Sequence, residues 1–439
     1  YFSLRFLRLT SLDGRLLDSK KTLEEESIED GDSISAIVQT PRLASTESAF
    51  ALCSDGLVAW GDAAAGGDAP EMQLATPVVA LQATRRAFAA LLQDGRVVTW
   101  GHLSCGGGSS FVQEELKDVK EIQASAGAFA AVVGTERRVV AWGDYMAGGD
   151  CEEVQEQLWK VSAIQASDSA FAAILDDGRV ICWGSLFGGG AGCRSQQHLR
   201  EVQQIQATRQ AFAAIRRDGS VVLWGNEDYG ASADMEEVLA QEKISAIASS
   251  FRAFAALRRN GSVLTWGSAE CGGDSQKVQD QLQLVVKIQS TWQAFAALRG
   301  DGRVVTWGDR QSGGDSDDVQ EQLINVQEIQ SSSRAFSALR KDGQVITWGH
   351  PECGGNSCTV AKQLTDVVQI QSTARAFAAI RANGTVVTWG VDGSKVQEQL
   401  KEVQQIQATA SAFAAVTRDG PVFLLAFFET HFFGWSIIG

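Results

Sequence analysis

The dipeptide Trp-Gly recurs with its Trp at positions 60, 100, 142, 183, 224, 266, 307, 348 and 389, at spacings of 40, 42, 41, 41, 42, 41, 41 and 41 residues. A period sustained that long demands a solenoid, a propeller or an array of equal units. Ala-Phe keeps the same beat, ten times from Ala49 to Ala412. A single unit of this size cannot bury both faces of its sheet, whereas stacked copies can.

Each unit reads as three strands and a return. In the fifth, "EVQQIQAT" (Glu201 to Thr208) alternates apolar and polar residues at Val202, Ile205 and Ala207 with one slip. "AFAAI" is an apolar run of strand length, and "SVVLWG" is β-branched and aromatic. Both patterns favour strands. Asp-Gly or Asn-Gly joins strands two and three in nine of the ten copies, as at Asp218-Gly219 and Asn260-Gly261. That pair is expected to supply the positive φ angles of a tight hairpin. The third copy has "GTERR" (Gly134 to Arg138) instead, which predicts a longer turn. After Trp-Gly comes a Gly-rich loop such as "DRQSGGDS" (Asp309 to Ser316), then "DVQEQL" (Asp318 to Leu323), suited to one helical turn or a polar crossover.

The expected fold class is all-β, with tandem three-stranded repeats in a propeller-like or open superhelical array. Residues 41–425 hold nine full units and a degenerate tenth, 1–40 a separate segment, and 426–439 a divergent apolar tail. The repeat tryptophans Trp60, Trp100, Trp142, Trp183, Trp224, Trp266, Trp307, Trp348 and Trp389 are expected to anchor the packing, one per layer between units. A buried Trp or Phe covers roughly 150–250 Å².

The order strand, apolar strand, Asp-Gly, "VVTWG", Gly-rich loop resembles the regulator-of-chromosome-condensation repeat, over about residues 42 to 425. The resemblance implies a β-propeller, with three-stranded blades in its shorter relatives. Two departures stand out. The chain has Ala-Phe in "QATRQAFAAI" (Gln206 to Ile215) where the family has Gly and then His-Ser or His-Thr, and "GGDS" where the family has "GQLG". Nine full units also exceed the usual limit of about eight blades.

The N-terminal stretch Leu9 to Gln39 resembles the second half of a ubiquitin-like domain. The features that match are "DGRLLD" (Asp13 to Asp18), "KTL" (Lys21 to Leu23), Ile28, "DGDSI" (Asp30 to Ile34) and a last strand ending at Val38. No Gly-Gly tail follows, so the resemblance implies a built-in module with its boundary at Thr40-Pro41.

The chain is 44% hydrophobic and carries a net charge of −15, with no Lys/Arg run of five or more. That argues against nucleic acid or an anionic membrane as the main partner. The stretch "YFSLRFLRL" has Arg inside its apolar run and no cleavage site, unlike a secretory signal. The tail "FLLAFFETHFFGWSIIG" makes a poor transmembrane span with Glu429 and His431 inside it. Eight cysteines show no CxxC, and Cys105, Cys271 and Cys353 are equivalent positions five residues after a repeat Trp. Such a pattern reads as free thiols in a reducing compartment, cytoplasmic or nuclear.

The search for chemistry finds none. The histidines His102, His198, His350 and His431 belong to no metal or catalytic motif. Asp68, Asp150, Asp274 and Asp315 recur in "GGD", eight residues after a Trp, and read as loop and cap residues. One carboxylate per unit is too few for a cation site. The expectation is no enzyme, no cofactor and no metal.

What varies between copies is the loop after Trp-Gly, while "VVTWG" barely changes. A rigid framework with varied loops suits recognition. Asp62, His102, Asp144, Tyr145, Phe187, Tyr229, Glu270, Arg310 and His350 are therefore the candidate partner-binding residues. The expected function is a non-catalytic protein-interaction scaffold, linked to the ubiquitin system through its N-terminus. Two alternatives follow from the resemblances. One is the substrate-binding piece of a larger ubiquitin ligase of the HERC type, and the other a guanine-nucleotide exchange factor for a small GTPase.

Overall fold

In the fifth unit, Val202–Ala207, Ala211–Arg216 and Val221–Gly225 form an antiparallel meander. The computed structural model repeats this sheet along the chain and describes residues 7–10, 35–38, 42–53, 57–69, 76–190, 199–390, 400–410, 412–417, 422–426 and 437–438. Among them are nine three-stranded sheets and a tenth of four strands. The tenth adds Ile437–Ile438 beside its third strand, Val422–Ala426. By register Leu425 lies opposite Phe413, the place that Trp389 takes opposite Phe377 one unit earlier.

The slip in the first strand is a β-bulge, lying between Val202 and Gln204 in unit five. The hairpin between strands two and three differs from expectation. Only its glycine is left-handed: Gly219 has φ +92° while Asp218 does not have a positive φ. The Asp instead accepts a hydrogen bond on Oδ1 from the Ser220 amide at 2.9 Å. Gly219 is required for a second reason. Its carbonyl accepts from the Ile244 amide of the next unit at 2.8 Å, and a Cβ would lie 3.2 Å from that nitrogen. The turn in unit three is longer, since Val132 pairs with Val139 where Ile215 pairs with Val221.

The phrase Ala-Phe-Ala-Ala is explained by alternation. A strand points successive side chains to opposite faces. Ala211, Ala213 and Ile215 face unit six, where Phe254, Ala256 and Trp266 meet them. Phe212, Ala214 and Trp224 face unit four, against Ala170, Ala172 and Ile174. Each layer therefore sets a flat alanine surface against an aromatic pair, and the rings fill what the alanines leave. Within a unit the Phe and Trp rings stack, with centroids 5.1 Å apart in unit five and 5.3 Å in unit seven. Such a pair contributes about 0.5–1.5 kcal/mol beyond its area.

The repeat tryptophans do more than fill space. Trp307 Nε1 donates to the Gly272 carbonyl of the preceding unit at 3.0 Å, and Trp348 to Gly313 likewise. The same bond is made by Trp100, Trp142, Trp183, Trp266 and Trp389. Trp224 Nε1 is buried without a partner among the described residues. Trp60, in the first unit, is half-buried and stacks on Phe50.

The units curve. Their first strands lie side by side from unit to unit, and Arg42–Ser45 of the first also lies beside Val403–Ala408 of the tenth. Leu7–Thr10 and Ser35–Val38 pair antiparallel. The remaining ubiquitin-like features, from Asp13 to Ile34, lie outside the described residues, as do His198, His431 and residues 427–436 of the tail. The third strand of unit ten ends at Ala426, across the expected 425/426 boundary.

Candidate protein-binding face

In units one to eight, two turns meet at one end of the sheet. Antiparallel pairing puts the turn between strands one and two beside the end of strand three, with Ala211 opposite Gly225 and Ala207 opposite Phe212 in unit five. The loop after Trp-Gly starts there. Its first residue is extended and precedes a single 3-10 turn, Tyr145–Ala147 in unit three and Arg310–Ser312 in unit seven. Asp62, Asp144 and Asn226 cap this turn by accepting from the amide two residues on, at 2.9–3.0 Å. His102, His350 and Asp309 occupy the same place without a side-chain cap. His102 Nδ1 lies 2.9 Å from Ser104 Oγ, and His350 Nδ1 is buried without a partner among the described residues.

A buried Ser or Thr ties the loop to its own sheet. Thr291 Oγ1 donates to the Ser312 carbonyl at 2.9 Å and accepts from the Ala294 amide at 3.0 Å. Ser250 does the same for Cys271 and Ala253, and Ser125 for Ala147 and Ala128. Two glycines then turn the chain back. Gly313 has φ +90°, and a Cβ there would stand 2.7 Å from the Phe336 ring of the next unit. The Asp of "GGD" starts the crossover: Asp150 accepts from the Glu152 amide at 2.8 Å and Asp315 from that of Asp317 at 3.0 Å. Further along, Gln320 Nε2 donates to the Val304 carbonyl at 3.0 Å and pins the second 3-10 turn, Asp317–Gln322, to the sheet.

This anchoring leaves the first two residues of each of these 3-10 turns to solvent and covers the third, fully at Ala65, Ala147, Cys271, Ser312 and Cys353 and partly at Cys105 and Tyr229. In three consecutive units large apolar residues stand at these outward positions or their equivalents, one in unit two and two each in units three and four. Leu103 of unit two, Tyr145 and Met146 of unit three, and Leu186 and Phe187 of unit four are 57–75% exposed. Asp62 and Asp144 are exposed beside them. In units six to eight the same positions hold Ala269-Glu270, Arg310-Gln311 and Pro351-Glu352. Arg310 pairs with Asp315 at 3.0 Å. Tyr229 departs from expectation as a free anchor. It is half-buried, tilted against Phe251 at 6.3 Å and covered by the Arg252 guanidinium at 4.9 Å.

Sequence reasoning missed a second feature of this face. The middle residue of the turn between strands one and two forms a backbone ladder from unit to unit. Glu47 N–H donates to the Arg85 carbonyl, Arg85 to Ala126, Ala126 to Asp168, Asp168 to Arg209, Arg209 to Phe251 and Phe251 to Trp292, at 2.9–3.3 Å. Side chains on this line also meet. Asp168 accepts from Arg85 at 3.2 Å and from Arg209 at 2.6 Å, and Arg209 lies 5.0 Å over the Phe251 ring. The signal was present as the variable position two before Ala-Phe, recurring with the period.

No group of His, Cys, Asp and Glu among the described residues could hold a metal ion. Burial pushes the Cys53 thiol up to about 12 and the Cys151 thiol to about 11, which leaves both protonated and unreactive at neutral pH. No helix among the described residues is long and apolar enough to cross a membrane.

No protein-family model and no curated protein matches the sequence. Solved structures do resemble it. The ectodomain of the Physcomitrella patens receptor kinase CR4 is 14% identical, over 60% of this chain and 72% of its own, with a TM-score of 0.36. Yeast RCC1 (Prp20), solved bound to Kap60, is 15% identical over 76% of this chain and 73% of its own, with a TM-score of 0.35. The computationally designed Ika8 protein is 14% identical over 80% of this chain and 96% of its own, with a TM-score of 0.33. Identities this low transfer no activity, so function has to be read from this chain's own surface.

Proposed function

We propose that the chain is a non-catalytic protein-interaction scaffold of the cytoplasm or nucleus, binding through the loops that follow Trp-Gly. One observation carries the reading: large apolar side chains stand exposed at equivalent loop positions of units two, three and four. Contiguous exposed apolar surface on a rigid frame marks an interaction site. The loops are held by hydrogen bonds at both ends, so little ordering entropy is lost when a partner docks. Tyr and Phe are good anchors for the same reason, since few torsions need freezing.

A link to the ubiquitin system belongs to this proposal. The antiparallel pairing of Leu7–Thr10 with Ser35–Val38 supports it, together with the sequence pattern between them. Substrate binding within a larger ligase, or exchange of guanine nucleotide on a small GTPase, would each be a form of the same partner binding. The test is affinity capture with wild type and a variant carrying Tyr145→Ser, Met146→Ser, Leu186→Ser and Phe187→Ser. Loss of specific partners from the variant supports the scaffold reading. Identical partners with identical retention overturn it.

A further inference from the structure

The surroundings of the apolar strip say what kind of segment it takes. Segments 62–69 of unit one, 102–116 of unit two and 144–158 of unit three hold the loop after Trp-Gly and, in units two and three, the crossover it leads into. They contain nine Asp or Glu and no Lys or Arg. Asp62, Asp144, Asp150 and Glu152 are exposed among them. Arg85, on the neighbouring inner turn, is tied to Glu47 and Asp168. Cations stand in the equivalent segments of units four and six to eight: Arg194, Lys277, Arg310 and Lys362. Glu114 is tied to Lys117 at 2.6 Å, so the exposed carboxylates of units one and three are the ones that accompany the apolar positions of units two to four.

We infer that this strip docks a peptide segment bearing large apolar side chains flanked by Lys or Arg. The inference rests on the scaffold reading and adds the partner's chemistry. Apolar contact with Leu103, Tyr145, Met146, Leu186 and Phe187 supplies affinity, and the carboxylate rim sets orientation and rejects acidic segments. An amphipathic segment is the simplest occupant, because its apolar side chains fall on one face and its charges at the rim.

The test uses the full chain and three labelled probes followed by fluorescence anisotropy. They are a short amphipathic Leu/Lys peptide, a Leu/Glu peptide of the same pattern, and a Ser/Lys peptide with the charge alone. The expected result is binding of the Leu/Lys peptide, with both others weaker by at least about tenfold. The Tyr145→Ser, Met146→Ser, Leu186→Ser, Phe187→Ser variant keeps the net charge and should lose at least about tenfold for the Leu/Lys peptide. Val286→Ser with Val368→Ser removes exposed apolar residues elsewhere and should change nothing. Undiminished binding by the four-residue variant overturns the inference, because the peptide then follows charge and not the strip. Leu/Glu binding as tight as Leu/Lys also overturns it, while leaving the scaffold reading intact. Affinity capture by the same variant separates the two failures.

Discussion

Units two to four and units six to eight are built on one frame and present different surfaces. In all six the Phe–Trp centroids are 5.1–5.3 Å apart. In all six the indole donates to a glycine carbonyl of the preceding unit at 3.0 Å. The outward loop positions share nothing: Leu103, Tyr145-Met146 and Leu186-Phe187 on one side, Glu270, Arg310-Gln311 and Pro351-Glu352 on the other. The second strand also ends differently, at Leu92, Val133 and Leu175 against Arg258, Arg299 and Arg340. Residues that point into a layer are held by packing on both sides, whereas residues that point out answer only to solvent and to whatever binds.

The largest effect should come from the frame and be equal in both regions. Trp183→Ala and Trp307→Ala should each cost about 3–5 kcal/mol, as for other buried aromatic truncations, with the damage confined to adjoining units. Urea unfolding followed by hydrogen exchange reads both quantities. A cost that differs between the two by more than about 2 kcal/mol would break the equivalence of the units.

Next comes the loop glycine. Gly313→Ala puts a Cβ 2.7 Å from the Phe336 ring at φ +90°, combining left-handed strain with overpacking, and should cost about 2–4 kcal/mol. Gly134→Ala, at φ +69° with nothing within 4 Å, carries the strain alone and should cost about 1–2 kcal/mol. Equal denaturation midpoints for the two variants would mean that the close approach of the next unit is not what fixes the loop.

The arginines of the second group make a smaller, pH-dependent contribution. Arg258 donates to both oxygens of Glu242 at 2.7 Å, and that hydrogen bonding holds the Glu242 carboxyl below its ordinary value. A depressed carboxyl stabilises the fold above its unfolded value of 4.5 and loses that contribution as pH falls through the folded value. Glu242→Gln should cost about 0.5–1 kcal/mol at neutral pH and nothing in strong acid. Thermal unfolding across that range checks the sign, and a cost that grows on acidification would refute the pairing.

Leu284 sharpens the comparison in the opposite direction. It is exposed and left-handed at φ +58°, where unit eight has Asn325 at φ +54°. Copying the neighbour, Leu284→Asn, should raise stability by about 0.5–1 kcal/mol, because Asn tolerates that region better. A lower urea midpoint in the variant would show that the Leu side chain contributes packing after all. The smallest effect belongs to the loops themselves. Tyr145→Arg with Met146→Gln gives unit three the residues of unit seven and should leave stability within about 0.5 kcal/mol. A large loss of stability would make those side chains part of the frame and not of a binding surface.

Much of the frame was legible because it repeats. The broken alternation in "EVQQIQAT" is the bulge at Val202/Gln204, and "GTERR" does lengthen its turn. The hairpin was read less well, since Asp218 uses its carboxylate to hold the turn and only Gly219 takes a positive φ. The binding face was half legible. Variation between copies pointed to the loops but treated Tyr229, Arg310 and Phe187 alike. Of these Phe187 stands free, Arg310 is paired with Asp315, and Tyr229 is held between Phe251 and Arg252. Asp315 lies five residues on in the same loop, whereas Phe251 and Arg252 belong to the next unit's turn, and nothing local in the sequence joins them to Tyr229.

The sequence by itself determined the unit, its three strands, its count and its need for neighbours, because period and alternation are properties of one chain read along its length. Tertiary structure alone decided how one unit grips the next. The indole of Trp307 reaching Gly272, the glycine that must lie flat on Phe336, and the return of the first strand to the tenth all join residues that no local pattern relates. It also decided which outward residues stay free. Exposure depends on what the surrounding units have already covered, and that sum exists only once all of them are packed.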